Sequence, residues 1–308
     1  MATLEGVVEA GEGIRLDRYL SETLGALSRS QLKARSGDIC VNGKPAKLSR
    51  IVERGDRYRV VLADQDSHEE GAEDLPLTVL HEDSTVIVLD KAQGMVTHPA
   101  HGNWHGTVAN GLLGRFRGNA PLEGGAPARA GIVHRLDKDT SGVLIAAKTA
   151  EAQEFLCAQF RARSTRKLYL AVVQGCPAAM EGRLDTWMGR DPRDRKRFCV
   201  SEEGTGKHAV TDWKLLGSAA GYALLLLSPK TGRTHQLRVH CRHLGYPIVG
   251  DPVYGRKDKR FPEATLMLHA RELRIILPGK AEPSRFVAAL PERFRTMLAA
   301  LGLAVSGS

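Results

Sequence analysis

No apolar run among the 308 residues approaches the ~20 that a bilayer-crossing helix needs. The N-terminus lacks the apolar core of a secretory signal. A cytoplasmic protein with no membrane contact is therefore expected. Cysteine is sparse: Cys40, Cys157, Cys176, Cys199 and Cys241 are scattered, odd in number and never in Cys-x-x-Cys spacing. That argues against a disulfide framework and against thiolate zinc sites. His98, His101 and His105 have no carboxylate among them, and Pro99 and Gly102 disfavour the helix that their spacing would require. No metal is expected there. Gly204-Thr-Gly206-Lys207 fails as a phosphate loop, because position 201 is not Gly and His208 stands where Ser or Thr is needed.

What the chain does carry is positive charge. The formal net charge is +9, with 42% hydrophobic and 26% charged residues, the make-up of a globular protein with a polyanionic partner. Its length allows two domains. Between Arg29 and Arg59 there are nine Lys or Arg against three Asp or Glu. From Ala63 to Asp74 six acids follow, and no Lys or Arg occurs between Val60 and Lys91. This shift marks a solvated acidic linker over 63–76, separating an N-terminal domain (1–62) from a larger one (77–308).

The first domain reads as a helix with Leu16, Tyr19 and Leu20 on one face, then a second helix capped by Ser28-Arg-Ser30. A strand Ile39–Val41, an Asn42-Gly43 turn and a strand Tyr58–Leu62 follow. Such a module presents point charges, Arg29, Lys33 and Lys44 among them, to phosphates without reading bases. The order of these signals over residues 14–62 resembles the S4 RNA-binding domain.

In the larger domain, Gly131 and Gly142 bracket a polar loop with four ionisable groups at Arg135, Asp137, Lys138 and Asp139. The apolar run Val143–Ala147 behind it reads as a buried strand. By residue type the loop could be a solvated turn, or His134, Asp137 and Ser141 a hydrolase triad, although no Gly-x-Ser-x-Gly elbow accompanies this serine. Further on, the spacing predicts a helix that Thr107 starts and Gly114 closes, a loop over 118–128, and a helix burying Ala152, Phe155, Leu156 and Phe160. A strand at 166–175 puts Lys167, Tyr169 and Ala171 on one face. A basic loop spans 190–200, a helix begins near Thr234 with His235 and Arg238 one turn apart, and a terminal helix runs from Phe286 to Leu301.

Several of these stretches share one family resemblance. His134-Arg-Leu-Asp137 with Thr140-Ser-Gly142 resembles the signature loop of the pseudouridine synthases of the large-subunit ribosomal RNA type. Lys167-x-Tyr169-x-Ala171, Lys207-x-Ala209-x-Thr211, and Thr231–His240 with Pro247–Gly255 match further patterns of that family. Asp90, Ala92 and Gln93 depart from its usual Asn-Lys-Pro-Ala-Gly, whereas Lys91 and Gly94 fit. The resemblance covers residues 14–62 and about 77–300.

It implies an α+β fold with a mixed, largely antiparallel central sheet, preceded by an S4-like domain. It further implies an isomerase that turns uridine in RNA into pseudouridine, without cofactor or metal. Asp137 would be catalytic, Arg238 its partner, and Tyr169 the residue lying against the base and the candidate proton acceptor. Arg135 would fill the space a flipped base leaves, and His134, Lys167, Lys207, Arg233 and His235 would contact substrate. The implied partner is 23S ribosomal RNA or its precursor, with no obligate protein partner. A tRNA synthase and a non-catalytic S4-type ribosome assembly factor are the alternatives.

Overall fold

The computed structural model describes residues 2–9, 13–27, 32, 36–62, 71–100, 102–116, 130–194 and 197–304. Arg29, Lys33, the Ser28–Ser30 cap with its helix, His101 and the 118–128 loop lie outside these residues. The chain divides into two units, Met1–Glu70 and Gly71–Ser308.

In the first unit, four strands form an antiparallel sheet in the order β1-β6-β3-β4: β1 (Ala2–Val7), β3 (Ser36–Val41), β4 (Lys44–Pro45) and β6 (Arg57–Leu62). A short β2 (Ile14–Arg15) pairs with β5 (Ile51–Val52) and leads into α1 (Leu16–Arg18), which continues as a π-type turn over Tyr19–Thr23. Leu16, Tyr19 and Leu20 pack on Val52, Tyr58 and Val60, so the predicted apolar face is the one buried. Lys44 is exposed beside the Asn42-Gly43 turn, where both residues take positive φ.

The second unit is α+β. Its strands are β7 (Thr78–Glu82), β8 (Val86–Lys91), β9 (Ser141–Ala147), β10 (Arg166–Gln174), β11 (Glu181–Arg190), β12 (Phe198–Ser201), β13 (Lys207–Ala219), β14 (Tyr222–Pro229), β15 (Leu268–Ile276) and β16 (Pro283–Val287). Its helices are α2 (Val108–Phe116), α3 (Ala150–Ala162), α4 (Gln236–His243) and α5 (Glu292–Leu301). One mixed sheet runs β12-β11-β13-β14-β10-β15-β9-β8-β7, with β16 added on β15. Every pairing in it is antiparallel except β15 with β9.

Continuous apolar runs become strands here because both faces of the sheet are covered. Val143, Ile145 and Ala147 of β9 join Val86 and Val88 of β8 in a core closed by Ala152 and Leu156 of α3. Leu144 and Ala146 alternate to the other side, with Ile87 and Leu89, under Val108, Ala109 and Leu112 of α2. A third core joins β10, β13 and β14 to Leu237 and Cys241 of α4 and to Phe294, Met297, Leu298 and Leu301 of α5.

The lone parallel pairing is short: only Ser141 and Gly142 meet His269 and Ala270. Gly142 makes it possible. Its φ is +117°, and a Cβ there would sit 2.2 Å from the carbonyl oxygen of Ala270.

Five expectations need correction. Phe286 lies in β16, paired with Leu273 of β15, and the terminal helix begins only at Glu292 after Pro291; burial in the sheet overrides the helical spacing. Gly114 lies inside α2 and does not close it. The carbonyl of Glu73 approaches so closely that a Cβ would come within 2.1 Å of it. Phe155 is exposed, while Ala152, Leu156 and Phe160 form the packed face of α3. Both ends of the 190–200 stretch are strand, Arg190 closing β11 and Phe198–Val200 belonging to β12. In the stretch expected as a solvated linker, Glu73 is docked: it accepts from Gly106 N–H at 3.0 Å, and its own N–H donates to Asn110.

Candidate active site

The Asp137 loop is fixed from behind before any substrate arrives. His134 accepts a hydrogen bond from Ile145 N–H at 3.1 Å through Nε2, and its ring stacks on Phe160 with centroids 4.6 Å apart. Burial, with some help from Lys167, pushes this imidazole down to about 3, so it is neutral. The Ser141 hydroxyl accepts from Arg293 at 2.7 Å and lies 2.8 Å from Nδ1 of buried His269. His134 and Ser141 are thus each engaged elsewhere, which removes the hydrolase triad.

The segment after β8 clamps the loop from a second direction. The Lys91 ammonium donates to the carbonyls of Ala92, Met95 and Lys138 at 2.8, 2.7 and 3.1 Å. Burial lowers its pKa to about 8 against the opposing pull of Asp137 and Asp139. Thr97 donates to the Leu136 carbonyl at 2.8 Å, and Gly94 N–H reaches Lys138 at 2.9 Å. Gln93, one of the departures from the family pattern, donates to the Asp139 and Leu266 carbonyls and accepts from Thr265. In this chain a polar amide ties the loop to the 265–266 segment.

Facing the loop is the start of α4. The helix begins at Gln236, two residues later than expected, because His235 adopts a left-handed conformation (φ +57°) as its cap. Buried Gln236 uses all its capacity: Thr231 hydroxyl and Arg233 N–H donate to it, and it donates to the Val210 carbonyl and Thr211 hydroxyl. That anchors the 231–235 turn to β13.

One turn in, Arg238 is 4% exposed and forks onto Asp251, whose side chain is 0% exposed, through Nε and Nη2, both at 2.8 Å. Asp251 also accepts from Val253 and Tyr254 N–H at 2.8 and 2.9 Å. Burial alone would lift this acid; the Arg238 hydrogen bonds more than offset it and hold it below the usual carboxylate range. With Nε and Nη2 spent, Nη1 of Arg238 reaches Oδ2 of Asp137 at 3.4 Å. Tyr254 supports the guanidinium with its ring face at 5.2 Å, while its hydroxyl lies 2.9 Å from His235 Nδ1.

Between these walls lies a cavity of about 450 Å³, with β10 contributing Lys167 and Tyr169. Asp137 is the only acid among its described lining residues. Seven cations line it too: Arg135, Arg161, Arg163, Lys167, Lys230, Arg233 and Arg238. Burial lowers the Lys167 pKa, with Arg163 and Lys230 pushing the same way. Burial raises the Tyr169 phenol, with Asp137 adding to the shift, so it is protonated at neutral pH. The arrangement suits a large anionic substrate with a planar apolar part, acted on by one carboxylate.

The RNA pseudouridylate synthase family model matches residues 85–243, and the S4 domain model matches 14–57. The chain belongs to the RNA pseudouridylate synthase family. It is 42% identical, over 91% of its length and 87% of the relative's, to ribosomal large subunit pseudouridine synthase D of Borreliella burgdorferi. A protein of the same name from Xanthomonas campestris pv. campestris is 38% identical over 96% of this chain and 91% of its own. Among solved structures it is similar to human RNA pseudouridylate synthase domain containing 4, at 26% identity and a TM-score of 0.59, covering 74% of this chain and 94% of that one.

For this synthase, an RNA isomerase, the structure brings His134, Arg135, Asp137, Lys167, Tyr169, Arg233, His235 and Arg238 around one cavity. Lys207 is elsewhere, exposed at the start of β13, and Arg233 donates through Nε to the His208 carbonyl beside it. Asp251, Tyr254, Lys91 and Gln93 were not singled out as site residues from the sequence. The close spacing of Asp251-Pro-Val-Tyr254 was the available signal for the first two.

Proposed function

We propose that this synthase converts uridine to pseudouridine in large-subunit ribosomal RNA in the cytoplasm, with Asp137 as the catalytic carboxylate. The observation that carries the assignment is the Arg238 fork: it is locked on Asp251 and turns Nη1 toward Asp137 inside a cation-lined cavity. The names of the relatives supply the substrate class, and the S4 match adds an RNA-binding module.

In the isomerisation the N1–C1′ bond breaks, the uracil turns, C5 bonds to C1′, and the C5 proton leaves while N1 gains one. Substrate and product have the same composition. Asp137 acts at the ribose, by attack on C1′ or by removal of the C2′ proton, and either route needs an ionised carboxylate beside a fixed cation. The target base must leave its stack, which costs a few kcal/mol. Arg135, exposed at the cavity edge, is placed to fill the gap. Tyr169 lies against the detached uracil and, as a protonated phenol, can take up a proton only as it hands its own O–H proton to a second acceptor such as water.

Pseudouridine mapping by carbodiimide treatment and primer extension, on ribosomal RNA and tRNA from cells with and without the gene, tests this. Stops lost from 23S RNA are expected, and stops lost only from tRNA would overturn the substrate. With purified protein, Asp137→Asn is expected to abolish turnover and keep RNA affinity within a few-fold; turnover at the parent rate would remove Asp137 from the chemistry.

A further inference from the structure

Three arginines stand side by side across three neighbouring strands. Arg166 of β10 is directly opposite Arg274 of β15, and Arg274 is directly opposite Arg285 of β16. Directly opposed residues have Cβ atoms about 5 Å apart, and like charges placed so destabilise a sheet. One acid answers the three. Glu272, 6% exposed, accepts from Nε of Arg274 at 2.6 Å and from Nε of Arg285 at 2.8 Å. Arg274 and Arg285 remain 42% and 58% exposed, and Arg166 has no ion pair among the described residues.

The row borders a second cavity of about 350 Å³, whose lining has no aromatic side chain. Its far wall is rigid, since Gln159 of α3 donates to the Ile276 carbonyl at 2.8 Å and accepts from Ile276 N–H at 3.0 Å. The turn from α3 into β10 serves both cavities. Arg163 and Lys167 line the catalytic one and Ser164 and Arg166 the second. Alternation along a strand sends Arg166 and Lys167 to opposite faces.

We propose that this groove binds the sugar–phosphate backbone of the RNA strand flanking the target nucleotide. The proposal rests on the reading of the chain as an RNA synthase. Guanidinium forks match phosphate oxygens, and three arginines facing one acid leave an excess of positive charge that favours an anionic ligand. With no ring to stack a base, the groove holds backbone irrespective of sequence. Its position at the shared turn lets a strand leaving the Asp137 cavity continue into it.

The test compares full-length protein with an Arg166→Ala/Arg285→Ala variant. Binding is measured over a salt series to an unmodified 23S transcript and to a short hairpin carrying only the target loop. For the long RNA the variant is expected to bind on the order of tenfold more weakly, with the salt slope smaller by about 1–2. Binding to the hairpin should not change. Arg166→Lys should retain most of the affinity, and Arg166→Ala alone should melt no lower than the parent, because it relieves repulsion. Unchanged affinity and slope on the long RNA, or equal losses on both RNAs, would overturn the groove. A parent protein that binds the transcript but isomerises nothing would instead sink the synthase reading, and the difference between parent and variant would still report on the groove.

Discussion

Asp251 and Glu272 are both buried carboxylates that grip arginine through hydrogen bonds of 2.6–2.8 Å, yet they do so in different proportions. Asp251 takes one arginine by two nitrogens and adds two backbone N–H groups, so charge is balanced and the guanidinium plane cannot turn. Of the donors left over, Nη1 is directed at Asp137. Glu272 shares its two oxygens between the Nε atoms of two arginines, and a third stands beside them without an acid. There the fold fixes the stems and leaves the charge in excess. The first arrangement suits a group that must act at one atom, the second a surface that must hold a polymer wherever it lies.

Asp251→Ala strands a buried guanidinium, which should cost about 3–5 kcal/mol in urea unfolding and eliminate turnover. A loss below 1 kcal/mol would show that the fork is not what holds this wall. Acid comes next. His134 is held neutral down to about 3 and His240 and His269 down to about 4, burial being the leading cause in each. In the unfolded chain these rings take up protons below about 6.5. The unfolded state therefore binds more protons between about 6.5 and 4, and stability should drop by a few kcal/mol as pH falls through that window. Melting temperatures constant across it would contradict the assignment. The smallest effect belongs to Glu272→Gln, about 1 kcal/mol or less because both partner arginines are well exposed. RNA binding should then tighten and its salt slope steepen; weaker binding would mean that the acid, not the excess charge, is what RNA needs.

How much of this could be read from the chain varies with distance along it. The strand after the Asp137 loop and the Lys167–Tyr169 face follow from period-two alternation, and the pocket's principal members lie in three compact stretches. Gln236 and Asp251 act through bonds to residues up to 26 positions away, which spacing alone does not announce. The arginine row was out of reach. Arg166 lies over a hundred residues from its neighbour, and the pairing depends on a register shift that leaves Arg271 unmatched. The terminal helix was drawn too long because Phe286 fits a helical face as well as a strand, and only the partner Leu273 decides.

The two-residue parallel pairing of Ser141 and Gly142 with His269 and Ala270 also bears on how the enzyme comes into being. Strands β7 to β9 pair in the order in which they occur in the sequence, and β10 to β14 pair among themselves. The seam between them closes a loop of more than a hundred residues for little backbone gain, so its closure is entropically costly and late. Asp137 arrives with one part and Arg238 with the other. A chain in which both halves have their strand pairs but the seam is open already has most of its secondary structure and no Asp137–Arg238 pair. Activity during refolding should therefore lag behind the circular dichroism signal, and the lag is the lifetime of that open seam.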